Sequence, residues 1–480
     1  MMRLFLGSFL AFWSLLGAEP ADWIWSARYV LIMDAGRRLI EDGAVAVRGE
    51  RILAVGPRAQ IEKQYRARRR IDLPSGVILP GLINTHTHAP MSLFRGLADD
   101  LRLADWLEKN IFPAEARNVN ADFVRWGTRL ACLEMALSGT TTFAEMYYFE
   151  DAVAEATLEA GLRAVLGETI LRFPAPDFKT PREALRFNER FLERFRRHPL
   201  ITPAVAPHAL YTNDDETLQS ARALANRFGA PLMIHLSETA EELDTAVQER
   251  GATPVVLLDR LGIFQGRTIA AHAVWMDEGD LEILRDRGVG IAHCPSSNMK
   301  LASGIAPVKR MLALGLAVGL GTDGPAGSNN DFNMFEEMDL AAKLQKVATR
   351  DPEALPARQA LEMATIMGAR VLGLAEEIGS LEAGKRADMI AVRLDRPHTT
   401  PLFDVYSHLV YAVKAGDVEH VMVNGRLIVR SRRMLTLDEA QVLAAARRYQ
   451  RSIHESLKGA MQKPFSPLRL PGQLANLLVK

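Results

Sequence analysis

The stretch Pro80-Gly-Leu-Ile-Asn-Thr-His-Thr-His-Ala-Pro90 sets two histidines, His86 and His88, one residue apart behind the apolar run Val77–Ile83. Side chains alternate across a strand, so residues i and i+2 point to one side while the residue between them, here Thr87, turns to the other. Two imidazoles on one side can grip a single metal ion. They can equally belong to a polar turn, and the rest of the chain must decide.

Composition narrows the chemistry. At 480 residues with 48% hydrophobic content the chain can bury a large core, and α/β barrels run this long as one unit. Its 58 basic residues balance 58 acidic ones, with no basic stripe, so the expected partner is a small molecule and not a nucleic acid. Cys132 and Cys294 are the only cysteines, too few for a disulfide framework or a thiolate zinc site, which leaves His, Asp and Glu as ligands. Arg3 precedes the apolar run Leu4–Ala18, which has the length of a signal-peptide core and is too short to span a bilayer comfortably. The reading is a signal peptide over residues 1–20, cleaved near Ala18, hence an exported or periplasmic protein with no membrane span after signal removal; the alternatives are an uncleaved N-terminal anchor or a wrongly chosen start codon, with a cytoplasmic location.

Away from the histidine pair the rhythm of the sequence divides the chain. Residues 21–76 hold short apolar runs broken by Gly, Asp and Pro, and residues 378–436 hold similar ones, so the two blocks are expected to join as one small β-sandwich. Between them, over residues 77–377, eight apolar runs alternate with helical patterns: 77–83, 140–146, 163–170, 201–206, 231–236, 268–274, 288–292 and 316–321. Eight such units predict a (β/α)8 TIM barrel in the α/β class, with its chemistry at the carboxyl ends of the strands. Residues 437–480 open with an amphipathic helix, expected to serve packing or homo-oligomer formation.

What ends the eight runs is polar. In order they close on His86 with His88, Glu145, Glu168, His208, His235 with Glu238, His272, His293 and Asp323, which takes six of the eleven histidines. A lone histidine in such a place is more often structural than catalytic, but scattered surface histidines would not gather at these positions. His86, His88, His235 and Asp323 make a donor set of three imidazoles and a carboxylate, suited to one divalent ion, zinc or ferrous iron, with a position left for water. A water on such an ion ionises near neutral pH. Glu238 is placed to move protons to a substrate nitrogen, His272 to polarise substrate or hold the nucleophile, and Asp323 to accept a proton as well as touch the metal. The plainer readings are a helix-start carboxylate for Glu238 and a turn residue for Asp323.

The ordered set PGLINTHTH (80–88), HLSET (235–239), AHAVW (271–275), HCPSSNMKLASGIAPV (293–308), GLGTDGPAGSNN (319–330) and GSLEAGKRADMIAV (379–392) resembles the amidohydrolase superfamily. The branch it is most similar to is that of the methylthioadenosine and S-adenosylhomocysteine deaminases and the related chlorohydrolases. The resemblance implies a metal-bearing barrel flanked by a β-sandwich, the ligand set and catalytic pair above, substrate contact by His208 in APHALYT, and contact of Glu115 in IFPAEA with ribose hydroxyls. It also implies a single metal, because ITPAVAPHAL (201–210) lacks the bridging lysine of two-metal members.

Two features of the chain depart from that branch. Glu168 in VLGETIL stands where its deaminases carry an arginine, so a negative pocket residue is expected to repel the carboxylate of S-adenosylhomocysteine. The loop after Asp323 is one residue longer. The reading is a hydrolytic deaminase of an aminopurine nucleoside or related heterocycle. Its rivals are hydrolysis of another ring or leaving group (a triazine, guanine or a cyclic amide) and a catalytically silent binding protein. The segment HCPSSN is expected to shape the pocket wall and order the seventh loop.

Overall fold

Runs rich in β-branched and aromatic residues fold as strands at the start of the chain: β1 (Glu19–Leu31), β2 (Leu39–Arg48), β3 (Arg51–Pro57) and β4 (Tyr65–Pro80), in the computed structural model, which describes residues 18–461. The signal segment read over residues 1–20 lies, up to Gly17, outside the described residues. Eight strands then alternate with helices: β5 (Leu82–Thr87), β6 (Thr140–Tyr147), β7 (Arg163–Ile170), β8 (Ile201–Pro207), β9 (Leu232–Leu236), β10 (Thr268–His272), β11 (Gly290–His293) and β12 (Val318–Leu320). The chain returns to β13 (Met389–Arg393), β14 (Val418–Val423), β15 (Arg426–Arg430) and β16 (Arg433–Met434), and ends in the helix Glu439–Met461.

Strands β5 to β12 close a parallel barrel in sequence order. The remaining eight form one mixed sheet, β16-β15-β14-β13-β4-β1-β2-β3, whose two halves share a core around Trp25, Val45, Ile71, Met389 and Met422. Both chain ends thus build the small domain, as the two β-rich blocks suggest. Among the described residues no helix is long and apolar enough to cross a membrane.

The run Val77–Ile83, read as one barrel strand, is two. Val77–Pro80 pairs with β13 in the mixed sheet, and the barrel strand starts at Leu82. The chain changes sheet at Gly81, where a β-carbon would come within 2.1 Å of Thr141 Oγ1, so only glycine lets the turn pack against β6. Periodicity could not show this break, because both halves are equally apolar.

Inside the barrel Ala144, Ala204, Ala206, Ala271 and Ala292 leave room for Met146 and Met233, and Val371 and Leu372 pack into the same cluster. The barrel is tied to the sheet by a buried ion pair: Arg163, opening β7, donates from Nε to Asp388 Oδ2 at 2.8 Å and from Nη2 to Oδ1 at 3.2 Å. Asp388 also accepts the Asn424 N–H at 2.6 Å, and Arg163 Nη1 donates to the Pro199 carbonyl at 2.6 Å. Removing one partner of such a pair strands the other charge away from water. Arg163→Met is therefore expected to destabilise the fold by about 3–5 kcal/mol, read as a lowered midpoint in thermal and urea unfolding.

Candidate metal centre

The geometry starts from the alternation in β5. His86 and His88 point to the barrel mouth, whereas Thr87 turns outward, donating to the Ala144 carbonyl at 2.8 Å and to the Glu145 carboxylate. A carbonyl only accepts, so His88 Nδ1, 2.6 Å from Met146 O, carries the ring proton and leaves the Nε2 lone pair free. The same holds for His235, whose Nδ1 lies 2.8 Å from His208 O. Each carbonyl thus selects the tautomer a ligand needs.

Nε2 of His86 and of His88 lie 3.4 and 3.3 Å from Asp323 Oδ1, and Nε2 of His235 lies 3.4 Å from Nε2 of His88. A tetrahedral ion with ligands at about 2.0–2.1 Å has edges of about 3.3 Å. Three of the six edges of such a tetrahedron are therefore already at coordination spacing. Two overlapping sets, His86–His88–Asp323 and His86–His235–His272, each bring their donor atoms within 4.8 Å. His86 Nε2 is buried with no hydrogen-bond partner, which a metal would supply. This donor set fits a divalent ion.

Burial keeps the imidazoles neutral, the form that can ligate. Desolvation, helped by the neighbouring histidines, pushes His86 down to about 4 and His235 well below the usual histidine range, and burial lowers His88 too. Burial alone would raise Asp323, but the imidazoles of His86, His272 and His88 around it hold it well below the carboxylate range. Burial would likewise lower His272; the carboxylates of Glu238 and Asp323 and the Asn298 hydrogen bond outweigh it and leave His272 raised. Glu238 is raised, chiefly by burial. His272 Nε2 and Glu238 Oε2 stand 3.7 Å apart, a pair with opposed proton demands beside the ligands.

The strand ends are held in unusual backbone conformations. Ser237, His272 and Asp323 have φ of 46°, 73° and 63°, left-handed positions that non-glycine residues seldom take. The short helix Pro295–Lys300 supports two of the site's groups: Ser297 Oγ donates to Asp323 Oδ2 at 2.6 Å, and Asn298 Oδ1 accepts from His272 Nδ1 at 3.1 Å. HCPSSN thus orders the site through Ser297 and Asn298. His293 is fully buried, is absent from the cavity lining, and neither of its ring nitrogens has a hydrogen-bond partner among the described residues.

His88, His235, His272, Glu238 and Asp323 line one cavity, and His208 and Glu115 line it as well. Glu115 accepts the Tyr147 hydroxyl at 2.7 Å, and burial pushes its carboxyl up to about 7 against that bond. His208 is pushed down to about 3 by burial and by the other histidines. All eight residues singled out from the sequence come together.

Three tyrosines, Tyr147, Tyr148 and Tyr211, and the apolar segment around Leu103–Phe112 also line the cavity and were not anticipated. Tyr147 ends β6, Tyr148 follows it and Tyr211 lies four residues beyond β8, positions that could have flagged them. The apolar segment looks like any packing helix in sequence. It does contain a π-helical stretch, Leu107–Ile111, a bulge that often marks functional sites.

Glu168 corrects an expectation. It lies on the outer side of β7, accepts the Glu150 N–H at 3.0 Å where the helix Glu150–Ala160 begins, and is absent from the cavity lining. Its neighbour Thr169 faces the cavity instead. The repulsion read from Glu168 does not arise, because strand alternation sends its carboxylate into the helical layer.

Residues 77–428 match the amidohydrolase family, and residues 43–67 match a bacterial imidazolonepropionase-like composite domain. The 5-methylthioadenosine/S-adenosylhomocysteine deaminase 1 of Syntrophus aciditrophicus (strain SB) is 47% identical over 440 residues, 92% of this chain and 99% of the relative. The 5′-deoxyadenosine deaminase of Methanosarcina acetivorans is 46% identical, over 89% of this chain and 97% of its own. A zinc-bound crystal structure of an adenosine deaminase from Xanthomonas campestris superposes with a TM-score of 0.90 at 39% identity, covering 91% of this chain and all of that one.

Ser297 touches Asp323 without reaching the cavity, so its effect can be separated from the ligands' own. Ser297→Ala is expected to weaken metal affinity by about tenfold, the lower range for losing an outer hydrogen bond, measured by chelator competition on folded protein.

Proposed function

We propose that this chain, which belongs to the amidohydrolase family, is a metal-dependent hydrolytic deaminase that adds water to the amino-bearing carbon of an aminopurine nucleoside and releases ammonia. The observation that carries this reading is the juxtaposition, at one barrel mouth, of four donor groups each 3.3–3.4 Å from a neighbour, the Glu238–His272 pair and the buried acid Glu115.

His86, His88, His235 and Asp323 would hold one ion, zinc, and a bound ion of this kind supplies the acidity that makes water a nucleophile near neutral pH. The residues handle the rest. Glu238, held toward its protonated form by burial, donates to the ring nitrogen beside the attacked carbon, so that negative charge does not build on the ring. One proton of the attacking water restores Glu238, and Asp323, which stays ionised, takes the other from the added hydroxyl and passes it to the leaving amine, which leaves a carbonyl on the ring. His272 orients the nucleophile from a ring fixed by Asn298. Glu115 accepts from the ribose hydroxyls and His208 contacts the substrate. Water enters, ammonia leaves, and the ring keeps a carbonyl.

Glu238→Gln keeps the volume and removes the acid. It is expected to lower kcat by about 10²–10⁴ while metal content, measured by plasma mass spectrometry, stays at the wild-type value. The reading fails if the folded, zinc-loaded wild-type chain releases no ammonia from any of adenosine, 5′-deoxyadenosine or 5′-methylthioadenosine; halide or carboxylate release from triazines or cyclic amides would then point to the related hydrolases.

Glu115 supplies a pH signature. Its carboxyl sits at about 7, so it takes up a proton as the pH falls through that value and loses acceptor capacity toward two hydroxyls. KM for a ribonucleoside is expected to rise below about pH 7 in the wild type, and to lose that rise in Glu115→Gln.

A further inference from the structure

We infer that the cavity selects nucleosides whose 5′ substituent is small and uncharged, such as hydrogen or methylthio, and rejects a 5′ arm ending in an amino-acid carboxylate. This rests on the deaminase reading above. With the base at the donor cluster and the ribose at Glu115, the 5′ arm has to run along the remaining wall. Leu103, Trp106, Leu107, Ile111, Phe112 and Leu301 supply most of it.

The charge of that wall is one-sided. The lining holds three carboxylates, Glu115, Glu238 and Asp323, and no lysine or arginine. The lysines of flanking segments are committed elsewhere: Lys109 pairs with Asp105 at 2.5 Å with its side chain 72% exposed, and Lys300 is held by Asp99 and by the Gly327 carbonyl. Arg172, three residues beyond Thr169, is not among the lining residues. A carboxylate drawn into this wall loses water and meets no lysine or arginine of the lining to pair with. A methyl thioether or a bare methyl group loses nothing by the same move and gains apolar contact. The acid at position 168 plays no part in the discrimination, because it faces the helices.

The test compares 5′-methylthioadenosine, 5′-deoxyadenosine and S-adenosylhomocysteine on the zinc-loaded full chain, by ammonia release and by calorimetric binding. S-Adenosylhomocysteine is expected to show a kcat/KM about a hundredfold below that of methylthioadenosine, carried mostly by KM, as for a charged group buried without its partner. Turnover and affinity within tenfold of methylthioadenosine overturn the inference. Thr169→Arg and Leu103→Arg each bring a guanidinium to the wall, and either is expected to narrow the ratio by about tenfold. An unchanged ratio in both folded variants refutes the missing cation as its origin. If no nucleoside is deaminated, the deaminase reading falls, and the relative binding of methylthioadenosine and S-adenosylhomocysteine still decides the selectivity.

Discussion

Everything at the barrel mouth depends on gathering three neutral imidazoles and one carboxylate, each with a donor atom 3.3–3.4 Å from that of a neighbour, out of water. Such a cluster is costly in a protein interior, since buried polar groups without partners lose hydration and gain little. The chain offsets part of the cost by using backbone carbonyls, those of Met146 and His208, to take the proton of two rings. What remains unsatisfied, most clearly His86 Nε2, faces its fellow donors. A divalent cation among these donors would resolve the tension.

That cluster would be useless on a yielding support. Ser297 and Asn298 on one short helix fix Asp323 and His272 together, so one segment orients a ligand and a proton-handling group at once. Lower in the fold, the Arg163–Asp388 pair locks the start of β7 to the mixed sheet. The sheet is thus part of the barrel's frame. Its strands come from both chain ends, so the barrel's amino-terminal and carboxyl-terminal flanks are held in one layer.

The walls of the cavity divide its labour by polarity. Donor atoms and acids gather on the strand ends, while the segment Leu103–Phe112 contributes apolar bulk and Glu115 just beyond it. Tyr147 bridges the two regions by donating to Glu115 from the end of β6. A substrate with a polar, electron-poor ring at one end and an apolar arm at the other matches this distribution, and 5′-modified adenosines have that form.

Much of the site was legible in the chain because its chemistry is local in kind: histidines and acids at the ends of apolar runs need no contacts to be noticed, and eight such runs imply a closed barrel. All eight residues singled out for metal, catalysis or substrate line or border one cavity. What the sequence could not determine was direction and junction. Glu168 ends a strand as the others do, yet alternation sends it outward, and Thr169 takes its place. Val77–Ile83 is uniformly apolar, yet a steric limit at Gly81 divides it between two sheets. The tyrosines and the apolar wall became visible only when distant segments met. Residue type and spacing declare which groups are present; which way each faces, and what it faces, depends on packing between segments far apart in the chain, and only the tertiary structure decides it.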